Sequence, residues 1–200
     1  MRARISIFLF LILAGFEGSA ADAQVPDPLV VTGKVDVAGK MTPYLIRNLP
    51  VSSFPDLPPS VANSLTAMSC LIPQTYEAHR PENVIHASLE SPGSSDWAVL
   101  CAAGGKVSLL IFLASASADK PIVLKESGEL NRLQAHDGSG QLGFNWGIDP
   151  ANPARVHDAQ AGMTHRPPML DHDCVADTTV DRGTVYHLYR DGGWVRVDVD

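Results

Sequence analysis

Apolar positions change their period three times along this chain. Ile5 to Phe16 is an almost unbroken apolar run. It holds roughly 12 residues, short of the ~20 that cross a bilayer as a helix. Between residues 24 and 57 the apolar positions shrink to Leu29-Val30-Val31 and Tyr44-Leu45-Ile46, set among prolines 26, 28, 43, 50 and 55. Proline is tolerated at sheet edges and not in central strands, so this stretch reads as an extended Pro-rich arm with one or two edge strands; a mobile terminal segment is the alternative. Pro58-Pro59 then opens a helix, since proline suits a first helical turn. Val61, Leu65 and Met68 recur at i, i+4 and i+7, a stripe that packs on a core and ends near Cys70. Residues 74–83 read as a polar loop.

From Val84 onward the period falls to two. Val84–Leu89, Trp97–Cys101 and Val107–Leu113 are punctuated by Gly93 and Gly104-Gly105, which predicts a three-stranded antiparallel meander. Ile122–Leu124 and Leu142–Trp146 add strands, and Glu129–Leu133 is too short to assign. Asp149-Pro150 has the form of an N-cap and first helical residue, with a short helix running to about Gln160. Gly183–Arg190 and Trp194–Asp198 flank Asp191-Gly192-Gly193, and Asp-Gly between alternating strands signals a hairpin. On its first strand Tyr186 and Leu188 face one side, and Val185, His187 and Tyr189 the other. Residues 58–200 are therefore expected to form one α+β domain, mainly antiparallel sheet with one or two short helices packed on one side.

The apolar start has a compartment attached to it. Arg2 and Arg4 precede the run, and Ala21-Asp22-Ala23 supplies the small residues of an A-x-A cleavage site. This is the pattern of a secretory signal peptide over residues 1–23, with the bond after Ala21 as a second candidate for cleavage. No cysteine follows the cleavage region, which argues against a lipoprotein anchor. The expected mature chain is exported, to the periplasm or the medium, and has no further stretch of membrane-spanning length. The net charge of −7 and the dispersed Lys and Arg residues argue against nucleic acid and anionic membrane surfaces, which both select basic patches. All three cysteines, Cys70, Cys101 and Cys174, lie in the mature part. Export favours one disulfide with one thiol left over. The sequence leaves the pairing open; Cys70 with Cys101 is preferred because a helix end and the following sheet are natural neighbours. Cys174 then reads as a small buried hydrophobe.

A weak internal echo links two regions. Ser95-Asp96-Trp97-Ala98-Val99 followed by Val107–Leu113 is repeated loosely by Ala176-Asp177-Thr178-Thr179-Val180 followed by Val185–Tyr189. Two copies are too few for a solenoid or propeller. Asn83-Val84-Ile85 with Asp96 to Cys101 locally resembles the strand-Asp-strand unit of FG-GAP blades. Ser91 to Asp96 has only one carboxylate, so the calcium of those blades does not carry over. The longer pattern is Cys70-Leu71-Ile72-Pro73-Gln74, Asp96–Cys101, Trp146-Gly147-Ile148-Asp149-Pro150, Leu170-Asp171-His172-Asp173 and Tyr189–Trp194. It resembles a family of uncharacterised exported bacterial proteins of similar length, a resemblance that implies no activity.

Two sites stand out. Asp171-His172-Asp173-Cys174, with Asp177 after it, groups carboxylates and an imidazole suited to a divalent metal. The competing reading is a turn, where Asp accepts backbone N–H bonds without any metal. Tyr186, Tyr189 and Trp194 on the terminal hairpin could stack on a sugar or a peptide, against core packing as the default for aromatics. Nucleophilic chemistry has weaker support. His136-Asp137 and His157-Asp158 offer bases, but Ser139 lacks the G-x-S-x-G frame, and Cys174 beside His172 is not expected to meet it. The expectation is an exported binding module without catalytic activity and without a cofactor, whose partner is a protein, peptide or glycan. The alternative is a metal-dependent hydrolase using Asp171, His172, Asp173 and Asp177. A third reading, a subunit of an envelope assembly, is favoured by an exposed, unpaired apolar edge strand.

Overall fold

Trp97–Cys101 and Val107–Leu113 are apolar at nearly every position because both of their faces are covered. The computed structural model describes residues 29–136 and 138–199, so residues 1–23, read above as a signal peptide, and Asp137 lie outside the described residues. The first part of the chain forms β1 (Leu29–Val37), β2 (Lys40–Pro50), α1 (Pro59–Ala67), β3 (Leu71–Gln74), β4 (Val84–Ala87), β5 (Asp96–Ala103), β6 (Lys106–Phe112) and β7 (Ile122–Gly128). The second part forms β8 (Leu133–Ala135), β9 (Leu142–Phe144), β10 (Trp146–Ala151), α2 (Pro153–Ala159), β11 (Cys174–Thr179), β12 (Gly183–Arg190) and β13 (Gly193–Val197). The protein is mainly β, with two short helices in a single compact domain.

Two sheets stack. The larger has the order β7-β6-β5-β3-β2-β9-β8, with β1 paired to β2 and β4 paired to β5; the smaller is β10-β11-β12-β13. Neighbours are antiparallel except β2 and β9. Alternation along the strands sorts the core into layers. Leu100, Leu109 and Ile111 of the large sheet meet Trp146, Ile148 and Val175 of the small one. On the outer face of the large sheet, Val99, Cys101, Leu110 and Phe112 pack against Val61 and Leu65 of α1. On the outer face of the small sheet, Ala176, Tyr186 and Leu188 pack against Val156 of α2. The layers run helix, sheet, sheet, helix, so the helices lie on opposite outer faces and not on one side.

The meander β4-β5-β6 forms in the expected order. The terminal hairpin forms too, and Asp191 and Gly192 both take positive φ, 53° and 78°, as its two-residue turn requires. The disulfide joins Cys70 to Cys101, with Cα atoms 5.1 Å apart. It ties the segment after α1 to the face of β5 that α1 covers.

Two expectations need correction. The stretch over residues 29–50 is a hairpin whose second strand, β2, also pairs with β3 and β9 and so sits inside the sheet. Its Pro43 stands opposite Lys34 of β1, and its Pro50, at the strand's end, opposite Leu71 of β3. Helix α1 ends at Ala67, before Cys70 as expected, and Pro73 lies in β3. Asp149-Pro150 does not start α2: both residues extend β10 beside β11. The next such pair does, since Asn152 Oδ1 accepts from Arg155 N at 2.8 Å and Pro153 takes the first turn. The two echo units are the hairpins β5–β6 and β11–β12, one in each stacked sheet.

Candidate functional site

Asp171, His172, Asp173 and Asp177 are not assembled around one point. Asp171 and His172 sit in the loop before β11. His172 is buried, with its Nδ1 2.6 Å from Asp171 Oδ1 and its Nε2 2.8 Å from the Tyr189 carbonyl oxygen. The hydrogen bond with His172 holds the exposed Asp171 carboxyl below the usual carboxylate range. Asp173 turns the other way: its Oδ2 accepts from Ser88 N at 3.0 Å, and its own N–H bonds Ser88 O at 3.0 Å. That is the turn-and-bracket role open to any Asp in a loop. Asp177 lies in β11 with its side chain 1% exposed. Its oxygens already receive Trp146 Nε1 at 2.7 Å, Lys125 Nζ, and His187 Nε2 at 3.2 Å. Among the described residues no group of His, Cys, Asp and Glu has the arrangement of a metal site.

Asp177 is instead the polar joint between the two sheets. Lys125 comes from β7 of the large sheet, and Trp146, Asp177 and His187 from β10, β11 and β12 of the small one. Burial pushes the Asp177 carboxyl up, but the donors His187 and Lys125 outweigh it and leave its pKa below the ordinary value. The fully buried indole of Trp146 is covered by two cations, with Lys125 Nζ 5.1 Å and Arg132 Cζ 4.1 Å from a ring centroid. Asn83 makes a second joint. It is buried at φ 69°, its Nδ2 donates to the Pro73 and Trp146 carbonyls, and its Oδ1 accepts from Ile148 N at 2.9 Å. Asp96, the counterpart of Asp177 in the echo, serves a loop: its carboxylate accepts from Leu89 N, Glu90 N, Ala114 N and Ser94 Oγ.

The hairpin aromatics do not form one platform. Tyr186 is buried under α2. Tyr189 and Trp194, directly opposed across β12 and β13, point to the other face and pack on the core between the sheets, their rings 5.4 Å apart. The alternation of strand side chains separates Tyr186 from the other two. Cys174 is buried beside α2 without a disulfide partner, and burial pushes its thiol up to about 12, as for an inert core residue.

An aromatic groove lies elsewhere. Ser53, Phe54, Pro55, Asp56 and Leu57 form one wall, and Pro81, Val84, His86 and Trp97 the other, around a cavity of about 570 Å³. His86 and Trp97 are cross-strand partners on β4 and β5, stacked with centroids 4.6 Å apart and planes 18° apart. Ser95 Oγ, 2.7 Å from His86 Nε2, fixes the imidazole. On the opposite wall Ser53 Oγ is buried and has no hydrogen-bond partner among the described residues. The sequence contained a signal for this pair. Ile85 and Ala87 alternate with His86 along β4, which leaves His86 on the face away from them, and the antiparallel register with β5 sets it opposite Trp97. The wall over residues 53–57 had no such signal, because the loop reaches the groove only through the packing of α1.

A second cavity, of about 590 Å³, is lined by Glu90, Asp171, His172, Tyr189, Arg190 and Asp191 among others. It is wider, and carboxylates dominate its charged groups. No family model, curated protein or solved structure matches the chain.

Proposed function

We propose that the protein is an exported binding module without catalytic activity and that its ligand is an uncharged glycan held in the groove at Trp97. The groove carries the reading. A sugar ring presents an apolar C–H face and a rim of hydroxyls. The groove offers a stacked aromatic pair beside the polar groups of Ser53, Asp56 and His86. The unpartnered Ser53 Oγ supports a polar ligand over a purely apolar one. The net charge of −7, with Asp56 on the wall, disfavours a polyanionic ligand. The disulfide is consistent with the exported compartment read from residues 1–23. The metal-dependent hydrolase reading lacks comparable support, because its four residues are engaged in separate bonds.

The test is affinity electrophoresis of the mature protein through gels containing neutral envelope polysaccharides, with Trp97→Ala and His86→Ala beside the parent. Retardation of the parent that both substitutions abolish, at unchanged circular dichroism, supports the reading. Equal mobility of parent and variants in every gel refutes it. Retention of short peptides instead of glycans moves the same groove to a peptide ligand.

A further inference from the structure

The β1–β2 hairpin carries the largest group of exposed apolar side chains among the described residues. Leu29, Val30, Val31, Val37 and Met41 are 50%, 51%, 38%, 46% and 58% exposed, and they make up five of the nine large exposed hydrophobics among the described residues. A cluster of this kind on one element marks an interaction surface more often than chance exposure does. Its strand is also a free edge: β1 pairs with β2 along its whole length and with no other described strand. Its backbone groups on the outer side are thus open to another chain.

The strand is amphipathic. Leu29, Val31, Val35 and Val37 lie on the same face as Ile46 and Tyr44, their neighbours across the β1–β2 ladder. Ile46 and Tyr44 belong to the core between the sheets. The apolar face of β1 therefore continues that core outward, past the end of the small sheet that covers it. Gly33 interrupts the row, and the Tyr44 ring fills its place: a Cβ on Gly33 would fall 2.7 Å from Tyr44 Oη.

We infer that β1 is the docking edge for a second copy of this chain, paired antiparallel with its own β1 about Gly33. The occupant is argued from the strand's self-complementarity. Reversed on itself about Gly33, Leu29-Val30-Val31-Thr32-Gly33-Lys34-Val35-Asp36-Val37 sets Leu29 opposite Val37 and Val31 opposite Val35 on the apolar face. On the other face Val30 meets Asp36 and Thr32 meets Lys34. On the core-side face apolar residues meet apolar residues, on neither face do like charges stand opposite each other, and the one Lys and one Asp leave the strand neutral in an otherwise acidic chain. A two-fold contact needs this self-matching of one patch, whereas a foreign strand would not impose it. The pairing would join the two large sheets edge to edge, as strand addition does.

The test uses the mature protein with its disulfide intact. Sedimentation velocity from low to high micromolar concentration is expected to show a monomer–dimer equilibrium. Val31→Lys, at an exposed position, is expected to weaken the dimer by more than about tenfold with unchanged circular dichroism. Register is read by air oxidation: Thr32→Cys and Lys34→Cys proteins are expected to cross-link when mixed and not when alone. A monomer at every concentration, a dimer indifferent to Val31→Lys, or cross-linking that does not require the mixture overturns the inference. If Val31→Lys fails to fold, Val30→Glu on the opposite face of the same exposed edge gives the same reading.

Discussion

Removing the Asp177 carboxylate should loosen the joint between the sheets, and by an amount the structure allows to be worked out. In Asp177→Ala three donors lose their acceptor. The Trp146 indole is fully buried, so its Nε1–H, now 2.7 Å from Asp177 Oδ1, has no water to turn to and costs about 1–3 kcal/mol as an orphan. Lys125 is 34% exposed and recovers hydration, so its share is discounted to about 0.5–1 kcal/mol. His187, 17% exposed, adds a further 1 kcal/mol or so. The total is about 3–5 kcal/mol, in the range found when one partner of a buried pair is removed. Asp177→Asn keeps one acceptor oxygen for Trp146 and should lose about half as much. The pH dependence supplies a second check. The folded carboxyl has a depressed pKa, so its contribution is complete above the unfolded value of about 4 and is lost as pH falls through the lower folded value. Equilibrium urea unfolding of parent and variants, at neutral pH and at several points below pH ~4, reads both effects. The gap between parent and Asp177→Ala should be widest at neutral pH and close with acid. A neutral-pH difference below about 1 kcal/mol, or a gap that does not narrow with acid, would refute the reasoning.

Other perturbations follow from single contacts. Replacing Cys70 and Cys101 together by Ala frees a loop spanning a sequence separation of 31 and should destabilise by about 3–4 kcal/mol, seen as a lower urea midpoint that reductant no longer shifts. Cys174 should stay unreactive toward a thiol reagent in the folded state and be labelled on denaturation, so immediate labelling of the native protein would contradict its burial. Asn83→Ala removes both Nδ2 bonds and the acceptor for Ile148 N, and leaves an alanine at φ 69°; a loss of about 3 kcal/mol in urea unfolding is expected, and Asn83→Gly should recover only the backbone part.

Local patterns carried much of the architecture. Proline at the first turn and the Val61-Leu65-Met68 stripe located α1, and the glycine-punctuated period-two runs located β4, β5 and β6. Asp191-Gly192 located the terminal hairpin, because a turn with two positive φ angles admits few residue pairs. The reading failed where tertiary pairing outweighs local preference. The Asp149-Pro150 signature is identical to a helix start, yet β11 claims both residues for its ladder, and the equivalent Asn152-Pro153 pair takes the role. The prolines after residue 24 signalled an edge, but Pro43 and Pro50 lie within β2, opposite Lys34 and Leu71, and the strand still pairs inside the sheet. The candidate site failed for a different reason. Asp171, His172, Asp173 and Asp177 are close in sequence, but a loop followed by a strand sends their side chains to separate partners. The partners of Asp177 lie 10 to 52 residues away, and sequence proximity carries no information about them. In the same way Tyr186 is divided from Tyr189 and Trp194 by strand alternation, while Trp97 and His86 gain a shared groove from a register that two adjacent strands fix.

The central claim is that a glycan binds at Trp97, and the three tryptophans give it a direct readout. The indole N–H resonances of Trp97, Trp146 and Trp194, assigned by single substitution and followed by NMR while soluble neutral envelope oligosaccharides are added, report on three separate places in the fold. The account predicts a saturable shift of the Trp97 signal, absent in His86→Ala, with Trp146 unmoved because it is sealed between the sheets. A Trp97 signal that stays fixed across the whole panel, or a shift confined to Trp194, would contradict it.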